Sequence, residues 1–230
     1  MQTETKPSVI VFDVNETLLD IDTLKPLFER IFGDGQIMRD WFAQLILYSE
    51  AISLAGLYAP FSVLGAAVLK MVAETRHIVI NDEDVAQLRY LLGTMPVHLD
   101  VRPGLVLLKQ AGFSLVTLTN SAPDPKADPL ERAGISDFFE QRFSVDSVKR
   151  FKPAPEAYQQ VARVMQVQTS AMCLVTAHTW DTLGAQALGC KAALITRPGN
   201  APILVAGFPQ PQVVGANLEI LARSIIERWC

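Results

Sequence analysis

Three apolar runs limit what this chain can fold into: Val-Ile-Val-Phe at 9–12, Phe-Ser-Leu-Val-Thr-Leu at 113–118 and Met-Cys-Leu-Val-Thr at 172–176. Each breaks off into polar residues, at Asp13, at Thr119-Asn120-Ser121 and at His178-Thr179. A short run that is apolar at successive positions, rather than at alternate ones, is a strand covered on both faces, as parallel strands are. Such strands need helices, and helical spacing lies between them. After Asp13, Leu24, Leu27, Phe28 and Ile31 recur at three and four. Helical segments follow over 36–54, 62–76 and 82–92, the last behind a capping Asn81 or Asp82. From Arg102 onward strands and helices alternate: a helix over 129–133, a short strand over 139–145, a helix begun by Pro155 and running to 165, a helix from Asp181 to 188, and a strand over 192–196. This order predicts an α/β fold with a parallel sheet, helices on both faces and right-handed crossovers. It divides the chain into a core of residues 1–19 and 97–230 and an all-helical insertion of residues 20–96, placed as a lid above the strand ends.

With 230 residues, half of them apolar, the chain can bury a large core. Its 20 basic and 24 acidic residues leave a net charge of -4 without a basic cluster, which argues against a nucleic-acid partner. Cys173, Cys190 and Cys230 have no metal-ligand spacing and cannot all pair, as suits a reducing cytoplasm. The start, MQTETKPS, lacks the apolar core of a signal peptide. Residues 51–69 carry no charge and approach the ~20 needed to cross a bilayer. Gly56 and Pro60 instead predict two helices joined near 58–60 and no membrane span. The same uncharged surface suggests a homodimer joined through the helical insertion.

Ligands of open parallel sheets gather where the strands end, so Asp13 is aimed into a crevice. A lysine beside it would balance its charge and leave its attacking lone pairs free, the arrangement of an aspartyl nucleophile. Thr17 would donate to that carboxylate or to an oxyanion formed on it. Thr119 and Asn120 offer a hydroxyl and an amide to a substrate, or simply cap a turn. Lys152 is the lysine whose backbone Pro153 and Pro155 hold in place, and Tyr158 follows within the first helical turns, facing the site or the core. Asp181 opens a helix, as cap or as site acid. His178 is the one histidine at a strand end, a hydrogen-bonding or acid/base candidate, with Thr176 just before it.

Together these motifs resemble the haloacid dehalogenase superfamily, and within it the type II 2-haloacid dehalogenases, most closely in SVDSVKRFKPAPEAY. The resemblance implies a Rossmann-like core with a helical cap. It implies Asp13 as nucleophile, Thr17 as its hydroxyl partner, Thr119 and Asn120 as the second motif, Lys152 and Tyr158 as the lysine and tyrosine of the third, and Asp181 as the last acid. The implied reaction turns short 2-haloalkanoic acids into 2-hydroxy acids through an ester on Asp13, opened by water that Asp181 positions with His178 or Thr176. No cofactor or metal is implied. Departures are equally informative. Asn15-Glu16 stand where such dehalogenases carry Tyr-Gly and phosphatases Asp-Gly, and Asn15 cannot protonate a leaving alkoxide. Thr176, Ala177 and His178 before a single Asp181 serve magnesium poorly. Phe42 takes the cap position of an arginine for halide or carboxylate, which shifts leaving-group binding to Asn120, to Trp41, Phe42, Tyr58 or Phe61, or to Arg39. His178 stands where many relatives have asparagine. The other readings are a phosphatase, phosphonatase-like or other hydrolase of the same superfamily and a non-catalytic protein that binds a partner through 51–69.

Overall fold

A computed structural model describes residues 5–124 and 128–230. Residues 1–4 of the segment read for a signal peptide lie outside the described residues. The chain runs β1 (Val9–Phe12), α1 (Lys25–Phe32), α2 (Ile37–Leu54), α3 (Phe61–Glu74), α4 (Asp82–Leu92), α5 (Val101–Gln110), β2 (Ser114–Thr119), α6 (Pro129–Arg132), β3 (Gln141–Ser144), α7 (Pro155–Met165), β4 (Met172–Thr176), α8 (Thr179–Ala187), β5 (Lys191–Ile195), β6 (Val213–Gly215) and α9 (Leu218–Trp229).

Among the described residues six strands form one sheet in the order β3-β2-β1-β4-β5-β6, every pairing parallel. In β1, β4 and β5 every residue is buried. Because successive side chains of a strand point to opposite faces, both faces of the sheet are covered. Helices α5 and α9 pack together against it, and so do α7 and α8. From β1 the chain builds outward through β2 and β3, then returns to start β4 on the other side of β1. That reversal opens a crevice between the carboxyl ends of β1 and β4, where such sheets bind their ligands.

The uncharged stretch is two helices: α2 ends at Leu54, Gly56 turns the chain at φ 76, and Pro60 stands at the N-cap of α3. Among the described residues no helix is long and apolar enough to cross a membrane. A capping box between Asn81 and Asp84 opens α4, and Pro155 opens α7.

Several elements differ from expectation. Helix α8 begins at Thr179 with His178 in the cap position, so Asp181 sits inside the first turn rather than opening the helix. Phe139 belongs to a turn, its amide donating to Ser136 O at 3.1 Å, and β3 is correspondingly shorter than 139–145. Helices α5 and α9 and strand β6 are additional to the elements expected from the sequence. They are one packing unit: a side chain on Gly104 of α5 would lie 2.5 Å from Leu218 Cγ of α9, so glycine is what lets these helices approach.

Candidate active site

Asp13 directly continues β1, its amide donating to Val175 O at 3.0 Å, so the ladder itself fixes where the carboxylate points. Thr17 Oγ1 donates to Asp13 Oδ2 at 2.6 Å and accepts from Ala177 N at 2.8 Å, which ties the β1 and β4 ends together. Lys152 has no exposed surface. Its ammonium spends its three protons on Asp13 Oδ1 at 2.6 Å, Asp181 Oδ2 at 2.7 Å and Leu118 O at 3.1 Å. Its own amide donates to Asn120 Oδ1 at 3.1 Å, which brings the β2 turn into the same cluster. Tyr158 hydroxyl donates to Asp181 Oδ1 at 2.6 Å, so both oxygens of Asp181 are engaged.

Burial opposes every charge here, and the partners decide the outcome. It would raise Asp13, but the Lys152 ammonium and then His178 outweigh it and hold the carboxyl well below the usual range. Burial would lower Lys152, yet Asp13 and Asp181 outweigh it, and the amine stays charged. Asp181 is raised, because its burial and the nearby Asp13 charge exceed what Lys152 returns. Tyr158 is raised by burial and by Asp181, and remains a donor.

The other side of Asp13 departs from expectation. Its lone pairs are not left free on Oδ2, since His178 Nδ1 stands 3.3 Å away beside the Thr17 bond. The opposite ring nitrogen, Nε2, meets Glu16 Oε2 at 2.8 Å. Glu16 occupies a left-handed backbone conformation at φ 64, uncommon for a side chain of its kind. It is buried, and its Oε1 accepts from Arg39 and, at 2.8 Å, from Asn200. Two carboxylates thus grip one imidazole: burial would lower His178, but their hydrogen bonds and charges push it up to about 9.

Asp13, Asn15, Asn120 and His178 line a cavity of about 10 Å³ under Phe42 and Ile46 of α2, Phe61 of α3 and Trp180 of α8, room for about one water. Thr119 joins the wall, its Oγ1 accepting from Ser121 N at 3.1 Å, and Asn15 Nδ2 donates to Ser121 Oγ at 3.2 Å. Beside it a depression of about 600 Å³ shares Asn15, Phe61 and Thr119 and reaches Arg89 and Arg142.

Other candidates stand elsewhere. Tyr158 and Thr176 are fully buried behind this wall, Tyr158 on Asp181 and Thr176 accepting from His178 N at 3.1 Å. Trp41 donates to Gly65 O at 2.9 Å and Tyr58 to Asp146 at 2.7 Å, so neither offers its polar atom to a leaving group. Arg39 turns to Glu16, to Asp22 at 2.7 Å and to Pro198 O at 3.1 Å. Sequence reasoning missed Glu16 and Asn200 as partners of the site. The non-glycine residue in the turn after Asn15 and the Arg-Pro-Gly-Asn turn at 197–200 were the available signals. A magnesium ion does not fit these residues, because the Lys152 ammonium already occupies the space between the Asp13 and Asp181 carboxylates.

The strand order and the buried carboxylate–lysine cluster at its reversal define a Rossmann-like α/β hydrolase. The family model for haloacid dehalogenase-like hydrolases matches residues 7–189, and the chain belongs to that family. It is 28% identical to (S)-2-haloacid dehalogenase 1 of Pseudomonas sp. strain CBS-3 over 212 residues, covering 91% of this chain and 93% of that one. It is likewise 28% identical to the (S)-2-haloacid dehalogenase of Xanthobacter autotrophicus, over 88% of this chain and 81% of the relative. The solved L-2-haloacid dehalogenase of Xanthobacter autotrophicus superposes with a TM-score of 0.85 at 25% identity, covering 95% of this chain and 98% of that chain.

Proposed function

We propose that the chain hydrolyses short 2-haloalkanoic acids to 2-hydroxy acids with Asp13 as nucleophile. The observation that carries this is the Asp13 carboxylate, kept ionised by the buried Lys152 and facing a cavity roofed by apolar side chains. A carboxylate stripped of bulk water attacks the halogen-bearing carbon; the new C–O bond forms as the carbon–halogen bond breaks, and halide departs with the electron pair. Water then adds to the Asp13 carboxyl carbon; the Thr17 hydroxyl, already on Oδ2, stabilises the oxyanion that forms there, and the Lys152 ammonium on Oδ1 stabilises the charge developing on the departing oxygen. Collapse frees the hydroxy acid and restores Asp13. The relatives named above as 2-haloacid dehalogenases support this substrate class, and Asn15 in the place of an acid weighs against phosphoester hydrolysis.

Asn15, Phe42, Thr119 and Asn120 are the proposed substrate contacts. Tyr158 and Thr176 act from behind, by positioning Asp181 and His178. Residues 20–96 serve as the cap, and since the cavity holds about one water, Phe42, Ile46 and Phe61 must move to admit a substrate, the neighbouring depression being the approach. Leu54, Leu57 and Val63, 93%, 62% and 47% exposed, make the cap the face on which two copies join. Three unpaired cysteines suit a cytoplasmic setting.

Halide release from chloro, bromo and fluoro acids tests the reading. The wild type should release halide, and Asp13→Asn should release almost none while keeping its fold. Release by Asp13→Asn at the wild-type rate would overturn the assignment of Asp13.

A further inference from the structure

His178, Glu16 and Asp13 form a chain whose charges must change during the reaction proposed above. We propose that Glu16 is a positioning residue that makes His178 the base of the hydrolytic step: the imidazole is clamped as a cation between Glu16 and Asp13 in the free protein and gives up its proton once Asp13 is esterified. This rests on the dehalogenase reading, but its central element is testable without it.

The geometry supplies each part. Nε2 of His178 is 2.8 Å from Glu16 Oε2 and Nδ1 is 3.3 Å from Asp13 Oδ2. A neutral imidazole has only one N–H, so with both carboxylates ionised one of these contacts would set a lone pair against a carboxylate; the imidazolium satisfies both. Esterification removes the charge on Asp13. Nδ1 then faces a neutral ester carbonyl, while Glu16 still holds Nε2–H and fixes the tautomer, as an orienting carboxylate does for a catalytic histidine. His178 and Asp13 share the one-water cavity, so a water there meets both the freed Nδ1 and the Asp13 carboxyl carbon. Glu16 cannot swing away, since Arg39 and Asn200 hold its other oxygen.

Charged groups face His178 from each element packed on it. Asp13 and Glu16 come from the turn after β1. Asp181 of α8 lies behind Lys152, whose ammonium stands 5.7 Å over the Trp180 ring that stacks on His178 at 5.0 Å. Arg39 of α2 spends its charge on Glu16 and Asp22, and the Phe42 ring of the same helix lies 5.8 Å from the His178 ring. The two carboxylates therefore set the imidazole's state.

The protons balance. Halide leaves with the carbon–halogen pair, and the His178 proton leaves beside it. Water gives one proton back to Nδ1 as its oxygen bonds to the Asp13 carbonyl. Collapse breaks the bond to the substrate oxygen, the remaining proton passes to that alkoxide, and Asp13 is again a carboxylate beside an imidazolium. The net products are hydroxy acid, halide and one proton.

The test is an NMR titration of nitrogen-15 histidine-labelled protein, joined to single-turnover kinetics with 2-chloropropionate. In the wild type His178 should titrate near pH 9. In Asp13→Asn, which carries the charge state of the ester, it should titrate at least tenfold more acidic, that is one unit lower or more. In Glu16→Gln the halide burst should persist while ester breakdown slows about 10²-fold, the range of a lost general base. Glu16→Gly, which the left-handed backbone accepts freely, should behave the same way and decides the matter if the glutamine variant misfolds. An unchanged His178 titration in Asp13→Asn, or wild-type ester breakdown in both Glu16 variants, overturns the proposal. Should the wild type release no halide, the dehalogenase reading fails while the titration still judges the clamp.

Discussion

Lys152 and Asp13, 139 positions apart in the chain, meet as an ion pair at 2.6 Å with the lysine sealed from solvent. Neither charge would be tolerable there alone: desolvation of a single buried ion costs several kcal/mol. The pair exists because β1 lies beside β2, whose turn residue Asn120 holds the backbone of Lys152.

Lys152→Met should therefore do more than lower activity. It leaves the Asp13 and Asp181 carboxylates buried without their shared cation, a loss of about 3–5 kcal/mol in unfolding free energy. Urea denaturation at neutral pH measures it. Part of the stability should return at low pH, where protonation removes both charges.

Stability should also fall on the alkaline side. His178 is raised from an ordinary 6.5 to about 9, so its contribution is complete below pH 6.5 and is lost as pH rises through 9. By linkage that is about 3 kcal/mol. Asp13 and Glu16 are lowered; their contributions are present above the ordinary carboxylate values and vanish as pH falls through the lowered ones. Thermal unfolding against pH should show a plateau between these limits, and His178→Asn should abolish the part of the alkaline decline that lies between pH 6.5 and 9, leaving the fall above pH 9 that the buried thiols of Cys173 and Cys190 cause.

How far these features were legible beforehand depended on their range. Pro155 marks the start of α7 by its own backbone chemistry, and Pro60 with Gly56 splits 51–69 by the same local rule. The apolar runs showed buried strands, and the polar residues that follow them, together with the proline-flanked Lys152 and the helix start at Asp181, pointed to Asp13, Lys152 and Asp181 as one cluster. Helix α9 is marked just as locally, by a capping Asn217 and by Leu218, Leu221, Ala222 and Ile225 at helical spacing. Contacts between side chains were not legible. Glu16 and His178 lie 162 positions apart, and nothing in either stretch names the other; their meeting follows from β1 and β4 being neighbours. Asp181 also looked like a helix cap because an acid in a first turn and an acid at a cap satisfy the same amides.

Gly184→Ala should disturb the site from behind. The added carbon would stand 2.8 Å from both Pro153 O and the Tyr158 hydroxyl, closer than contact allows, so it pushes on the residue after Lys152 and on the donor to Asp181. Loss of the Tyr158 bond alone would cost about 1–3 kcal/mol. The variant should be clearly less stable and should lose turnover more than Tyr158→Phe does.

Activity should survive a chelator. With Lys152 between the two carboxylates, halide release in excess EDTA should match the untreated rate; a loss restored by magnesium would contradict this reading of the cluster.

A single turnover in oxygen-18 water shows whether Asp13 forms a covalent bond to the substrate carbon. With enzyme in excess over 2-chloropropionate, mass spectrometry should find the label in the peptide bearing Asp13 and ordinary oxygen in the first hydroxy acid released. Label appearing at once in the product, with Asp13 unlabelled, would mean that water attacks the substrate directly and that Asp13 is not the nucleophile.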